Sequence, residues 1–75
     1  MSGEQEYMQL IGKRIRQVRK LRGYSSQESF AYEHDISRTQ YGRYERGEGL
    51  HVSSLIKLVR IFDMTLAEFF SEGFE

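Results

Sequence analysis

The chain has no cysteine in its 75 residues, and that absence removes several chemistries at once. No disulfide, thiolate zinc site or cysteine nucleophile is available, which fits a reducing cytoplasm. It also lacks any apolar run near the roughly 18 residues of a membrane span, so no membrane partner is expected. The polar, acidic opening from Met1 to Glu6 is unlike a secretory signal. Repeats and low-complexity segments are missing too. The scattered Ser, His and Asp residues form no nucleophile elbow and no glycine-rich phosphate cradle, so neither an enzyme nor a cofactor is expected. His34 and His51 stand too far apart in sequence to suggest a metal pair. Gly47 and Gly49 interrupt any helix that would align Glu45, Glu48 and His51, so no metal site is expected. Net charge is absent as well, since 11 Lys and Arg balance 11 Asp and Glu.

What is present fits one small helical domain. A length of 75 residues lies near the lower limit for a core that folds without staples. Hydrophobic content of 39%, with five Tyr and five Phe, supplies a compact core and is too high for a disordered chain. The neutral total conceals an uneven distribution. All 11 bases fall between Lys13 and Arg60, where only five acids occur (Glu28, Glu33, Asp35, Glu45, Glu48), leaving six positive charges in excess. The last 15 residues hold four acids and no base. Such asymmetry describes either one basic surface with acidic ends turned elsewhere, or a solvated mixed surface.

Taken in order, the pattern predicts five helices. After a frayed segment from Met1 to Glu6, Leu10 or Ile11, Ile15, Val18 and Leu21 form one apolar stripe over Tyr7 to Arg22. Lys13, Arg14, Arg16, Arg19, Lys20 and Arg22 lie on its other faces, six bases in ten residues without an acid. They are either a solvated face or a set of phosphate contacts. Gly23 ends this helix. A capping box from Ser25 to Glu28, with Ser26 as a competing cap, opens a second helix running to about His34 with Phe30 and Ala31 inward. Two short helices joined by a turn of about three to four residues, with Ala31 at the crossing, make a helix-turn-helix. A fourth helix carries Val52, Leu55, Ile56, Val59 and Phe62 on one face. Leu58 and Ile61 widen that face, as in a helix central to the core or shared with a partner. A second capping box, Thr65 to Glu68, opens a fifth helix with Leu66, Phe69 and Phe70. With Phe74, these residues form an apolar excess that suits a homodimer through the C-terminal helices.

The third helix carries the chemistry. Ser37 caps its start, Gln40 completes a capping box, and Gly47 supplies the left-handed stop. Tyr41 and Tyr44, beside Ile36, form an inward face at helical spacing, which marks them as core and not as base-stacking residues. Arg38, Thr39 and Arg43 fall outward. Arginine can bond guanine O6 and N7 bidentately, so Arg38 and Arg43 each read as a base contact, a phosphate contact or a surface arginine. Thr39 meets a thymine methyl or a phosphate, and Gln40 either bonds back to Ser37 or reaches a phosphate. Free N–H groups at a helix start give Ser26 and Gln27 a reason to lie near a phosphate. Arg46, Lys57 or the bases of the first helix add further phosphate contacts.

The chain resembles the phage-repressor or Cro-like helix-turn-helix regulators, also called the xenobiotic-response-element family. The resemblance runs from about Leu10 to Phe70. It is carried by Ile15, Arg19 and Gly23, then Gln27-Glu28-x-Phe30-Ala31 and Ile36-Ser37-Arg38-Thr39. Tyr41, Arg43, Tyr44-Glu45-Arg46-Gly47, Leu55-Ile56-Lys57-Leu58 and Thr65-Leu66-x-Glu68-Phe69-Phe70 complete it. It implies an all-α, compact five-helix lambda-repressor-like domain over residues 7–70, with short extensions at 1–6 and 71–75. The implied function is a cytoplasmic transcriptional regulator, such as a repressor, that reads a palindromic double-stranded DNA site through the third helix in the major groove. The alternative is an antitoxin-like or bridging module that binds a protein partner, with DNA secondary. Gln27 then takes the place of a glutamine that touches a phosphate, and Arg19 with Glu45 the place of a pair joining the first and third helices. Four features depart from the pattern. The linker Gly23-Tyr24-Ser25-Ser26 is one residue longer, and Asp35 and Asp63 replace glycines. His34 stands at a usually apolar place, and Gly42 removes a side chain from the expected DNA-facing side.

Overall fold

The computed structural model describes residues 3–75. Those residues fold into α1 (Gly3–Leu21), α2 (Gln27–Glu33), α3 (Arg38–Glu45), α4 (Val52–Ile61) and α5 (Leu66–Phe69), with no strand among them. Met1 and Ser2, part of the segment expected to fray, lie outside the described residues. The remainder of that segment is helical. Glu4 and Glu6 sit in the first turn of α1 and Arg19 and Lys20 in its last, so charge complements the helix dipole at both ends.

Phe30 is the hub of the core. Its ring lies 4.8 Å from that of Tyr41, 5.3 Å from Phe62 and 5.1 Å from Tyr24, so α2, α3, the end of α4 and the first linker all meet on it. Ile15, Val18, Ala31, Leu55, Leu58, Val59 and Phe69 close the shell around these rings. The inward face of α4 is turned from the one its spacing suggested. Leu58 sits at its centre beside Leu55, Val59 and Phe62, whereas Val52 is 74% exposed and Ile56 41%. Leu21 of α1 is also exposed, because the helix turns it away just before Gly23.

The helix ends follow local chemistry, with two corrections. Ser26, not Ser25, caps α2: its hydroxyl accepts the Ser29 N–H at 3.1 Å, and no box with Glu28 forms. Ser37 accepts the Gln40 N–H at 3.3 Å at the start of α3, but the Gln40 side chain returns no bond to the Ser37 backbone, so the expected box is only half formed. At α5 both halves of the Thr65–Glu68 box are present, at 2.8 and 3.1 Å. The Thr65 backbone N–H foremost, and the Thr65 hydroxyl after it, hold the Glu68 carboxyl below its ordinary range. Asp35 and Asp63, standing in the turns after α2 and α4, adopt φ of 56° and 59°. That is left-handed geometry, which Asp tolerates better than most residues.

Helix α1 crosses the end of α3 almost at backbone contact. A Cβ on Gly12 would stand 2.5 Å from the Glu45 carbonyl oxygen, and one on Gly47 would strike the Met8 carbonyl. Two glycines facing each other's helix therefore set how closely α3 is drawn in. The tail is drawn in too. Phe74 is partly buried, its ring 4.9 Å from that of Phe70, so packing continues past α5.

Candidate nucleic-acid interface

A single buried network fixes α3 from behind. Arg19 Nε donates to Glu45 Oε2 at 2.7 Å, and Gln27 Nε2 donates to Glu45 Oε1 at 2.9 Å. Arg19 Nη1 also donates to the Tyr24 carbonyl at 2.9 Å, which ties the long linker into the same frame. One carboxylate thus joins α1, α2 and α3. A buried charge pair of this kind holds geometry because stripping either partner leaves the other desolvated. Tyr41 packs beside it with no exposed surface, and its hydroxyl has no hydrogen-bond partner. Burial raises the Tyr41 phenol far above its ordinary pKa, and the nearby Glu45 adds to the effect.

Gly42 belongs to this frame and not to the outward side. It is buried, and a Cβ there would stand 3.3 Å from Gln27 Oε1 and 3.6 Å from Arg46 Nη1. The missing side chain makes room for Gln27 to reach Glu45. Gln27 itself is turned inward, so its amide nitrogen already has an acceptor.

With Tyr41, Gly42 and Glu45 buried, α3 presents Arg38, Thr39 and Arg43 outward, and all three are exposed. Gln40 is half-buried and lines a cavity of about 360 Å³ with Ser37, Tyr44, Ser54 and Lys57, between α3 and α4. Its backbone N–H serves the Ser37 cap. Ser26 is exposed at the start of α2, its hydroxyl occupied with Ser29, and Arg46 is exposed just past α3. The chain therefore brings Ser26, Arg38, Thr39, Arg43 and Arg46 to its surface, while Gln27, Arg19 and Glu45 support them from inside.

Half of the basic face expected on α1 is committed to the fold: Arg14 and Arg19 are buried, and Arg22, though exposed, is bonded to a backbone carbonyl. Arg14 is 5% exposed, donates to the Phe69 carbonyl at 2.6 Å and the Glu68 carbonyl at 3.0 Å, and stands over the Phe69 ring at 5.7 Å. Arg22 Nε donates to the Phe62 carbonyl at 2.8 Å. Each guanidinium caps carbonyls at a helix C-terminus, where the dipole favours a cation. With Arg19 paired to Glu45, only Lys13, Arg16 and Lys20 of the six remain uncommitted to such contacts and exposed. Charge density alone did not separate these two groups. The signal that could have found Arg14 and Arg19 is their position beside Ile15 and Val18 on the inward side of α1.

The two unusual features near α2 also explain each other. The linker Gly23-Tyr24-Ser25-Ser26 seats Tyr24 against Phe30, where the Tyr24 hydroxyl donates to Glu33 and lies 3.2 Å from His34 Nε2. His34 fits its place because Tyr24 supplies it a polar partner and Phe30 a ring at 4.6 Å.

No three His, Cys, Asp or Glu side chains among the described residues gather as a metal site, and no helix there is long and apolar enough to cross a membrane. No curated protein and no solved structure matches the chain. A family model described as helix-turn-helix does match, over residues 15–69, from the middle of α1 to the end of α5. That span includes the buried Arg19–Glu45 tie, the α2–turn–α3 unit and the outward face of α3. The family is one of DNA-binding domains and not of enzymes. The chain belongs to the helix-turn-helix family of Cro and phage-repressor type, the DNA-binding regulators also called the xenobiotic-response-element family.

Proposed function

We propose that the protein is a sequence-specific cytoplasmic transcriptional regulator, acting as a homodimer on a palindromic duplex site with α3 in each major groove. The observation that carries this is the division of α3 into two faces. One face is locked by Tyr41, Gly42 and Glu45, and the other shows Arg38, Thr39 and Arg43 to solvent. A helix held rigidly from behind with long donors in front meets the geometric demand of base reading, since a major groove admits one helix and its base edges discriminate by hydrogen bonds. Arg38 and Arg43 reach guanines, and Thr39 a thymine methyl. Arg46, Gln40 and Ser26 flank them on the phosphates, and Gln27 supports α3 through Glu45.

Two-fold pairing has its support at the other end of the molecule. Val52, Ile56, Leu66 and Phe70 are each at least 40% exposed on α4 and α5. A second copy covering them would set two reading helices about 34 Å apart, one helical turn of DNA. Repression then follows from occluding a promoter. The same exposed side chains suit a different protein partner, as in an antitoxin-like or bridging module.

Selection of bound sequences from a random duplex pool tests the proposal. A palindrome with half-sites one turn apart is the expected result. A salt titration accompanies it, in which affinity should fall steeply as counterions compete. Absence of duplex binding at low salt would leave the protein-partner reading in its place.

A further inference from the structure

Each outward arginine of the reading face is already met by a glutamate from a neighbouring element. Arg38 Nη2 stands 3.0 Å from Glu28 Oε1, an acid in the first turn of α2. Arg43 Nε lies 3.9 Å from Glu48 Oε1 and Arg46 Nε 3.4 Å from Glu48 Oε2, so one carboxylate spans two arginines in the turn after α3. Glu48 is itself placed, its backbone N–H donating to the Arg43 carbonyl at 2.8 Å. The Arg43 guanidinium rests against Gly49, where a Cβ would stand 3.1 Å from Nη2. All five side chains are exposed. Exposed pairs of this kind add little to folding, so stability does not account for them.

Resting on the proposal that α3 reads DNA, we infer that Glu28 and Glu48 are positioning residues that set specificity. They hold Arg38 and Arg43 for base edges and penalise binding to phosphate alone. A guanidinium has five donors in a fixed fork, and the carboxylate beside Nε leaves both terminal nitrogens of Arg43 for O6 and N7 of a guanine. Glu28, which meets Arg38 at Nη2, leaves Nη1 and the second Nη2 proton of Arg38 for the same edge. The pair therefore survives when the right base is met, and the arginine arrives with its rotamer already ordered. On a random sequence the arginine must swing to a phosphate and abandon its carboxylate, which then faces the polyanion. The face as a whole sets three arginines against two glutamates, a net of one positive charge. Non-specific binding, which depends on released counterions, is thereby suppressed more than specific binding.

The test compares wild type with Glu28→Gln, Glu48→Gln and the double variant. Affinity is measured across a salt series for a random duplex and for the sequence that wild type selects from a pool, with thermal unfolding as the control on fold. Each variant should bind the random duplex about three- to tenfold more tightly at low salt. The log–log salt slope on that duplex should steepen by about one for each arginine freed. Affinity for the selected site should hold or fall, so the specificity ratio narrows. Equal changes on both duplexes, or none on the random one, overturn the inference while leaving DNA reading intact. A wild type that binds no duplex at low salt removes the reading and the inference together.

Discussion

Arg14, Arg19 and Arg22, in and just after α1, and Arg38, Arg43 and Arg46 around α3 are the same side chain in two settings. The first three turn inward or back, to carbonyls at the ends of α4 and α5 and to the Glu45 carboxylate. The second three stand in water, each beside an exposed glutamate. In the first setting the guanidinium replaces hydration that the fold has removed, so its loss strands acceptors. In the second, water can replace any partner, and the side chain stays available to a ligand. What separates the two groups of arginine is therefore the solvation of the partner, not the count of bonds.

Substitutions can break or sharpen that contrast. The largest effect belongs to Glu45→Ala, which uncouples three helices at once and should lower folding stability by about 3–5 kcal/mol. Urea unfolding measures it, and a midpoint equal to wild type would show that the buried network does not hold α3. Arg14→Ala should cost about 1–3 kcal/mol by stranding the Phe69 carbonyl, while Ser71 still answers that of Glu68. DNA affinity per folded molecule should be unchanged; a selective loss of DNA binding would move Arg14 into the other group. For Arg43→Ala the expectation reverses. Stability should stay within about 0.5 kcal/mol, while discrimination at one base pair falls by about 1–3 kcal/mol. A uniform loss over all sequences would make Arg43 a phosphate contact.

The smallest effect sharpens where the buried network ends. Tyr41→Phe should change neutral-pH stability by no more than about 0.5 kcal/mol, because the hydroxyl has no partner to lose. Its signature lies in alkali. The folded phenol is held above its ordinary pKa by burial, so the stability it confers is complete below the unfolded value of about 10 and is lost as pH rises past it. Unfolding curves above that pH should fall less steeply in the variant. An unchanged alkaline slope would mean that another group dominates there.

Most of the fold was legible because it rests on local rules. Gly23, Gly47, the Thr65–Glu68 box and the inward spacing of Tyr41 and Phe30 announce themselves within a few residues. Less of the interface was legible. Arg38, Thr39 and Arg43 stand outward as helical periodicity requires, but Glu28 and Glu48 read only as acids in a mixed segment until the turns bring them beside those arginines. Gly42 was assigned to the wrong side, because its reason is the Gln27 side chain, fifteen positions earlier in the chain. Val52 and Ile56 were placed inward because a 3.6-residue period gives a stripe but not its exact rotation. Ser26 prevailed over Ser25 by one residue of linker length. Each of these depends on where a different element lies, which no local window contains.

The contact between Arg14 and the end of α5 has a consequence for the order in which the molecule assembles. A four-residue helix cannot persist alone, since nucleation alone exceeds what so few bonds return. The Thr65–Glu68 box steadies its start and Ser71 answers the Glu68 carbonyl, but the Phe69 carbonyl is answered by a guanidinium more than fifty residues away. α5 is thus expected to dock late in folding and to open early, as a unit whose lifetime is set by α1. Amide exchange along Leu66–Phe70 should then follow the state of Arg14 more closely than the stability of the whole domain. A surface for a second copy that includes Leu66 and Phe70 would exist only while that distant clasp is closed.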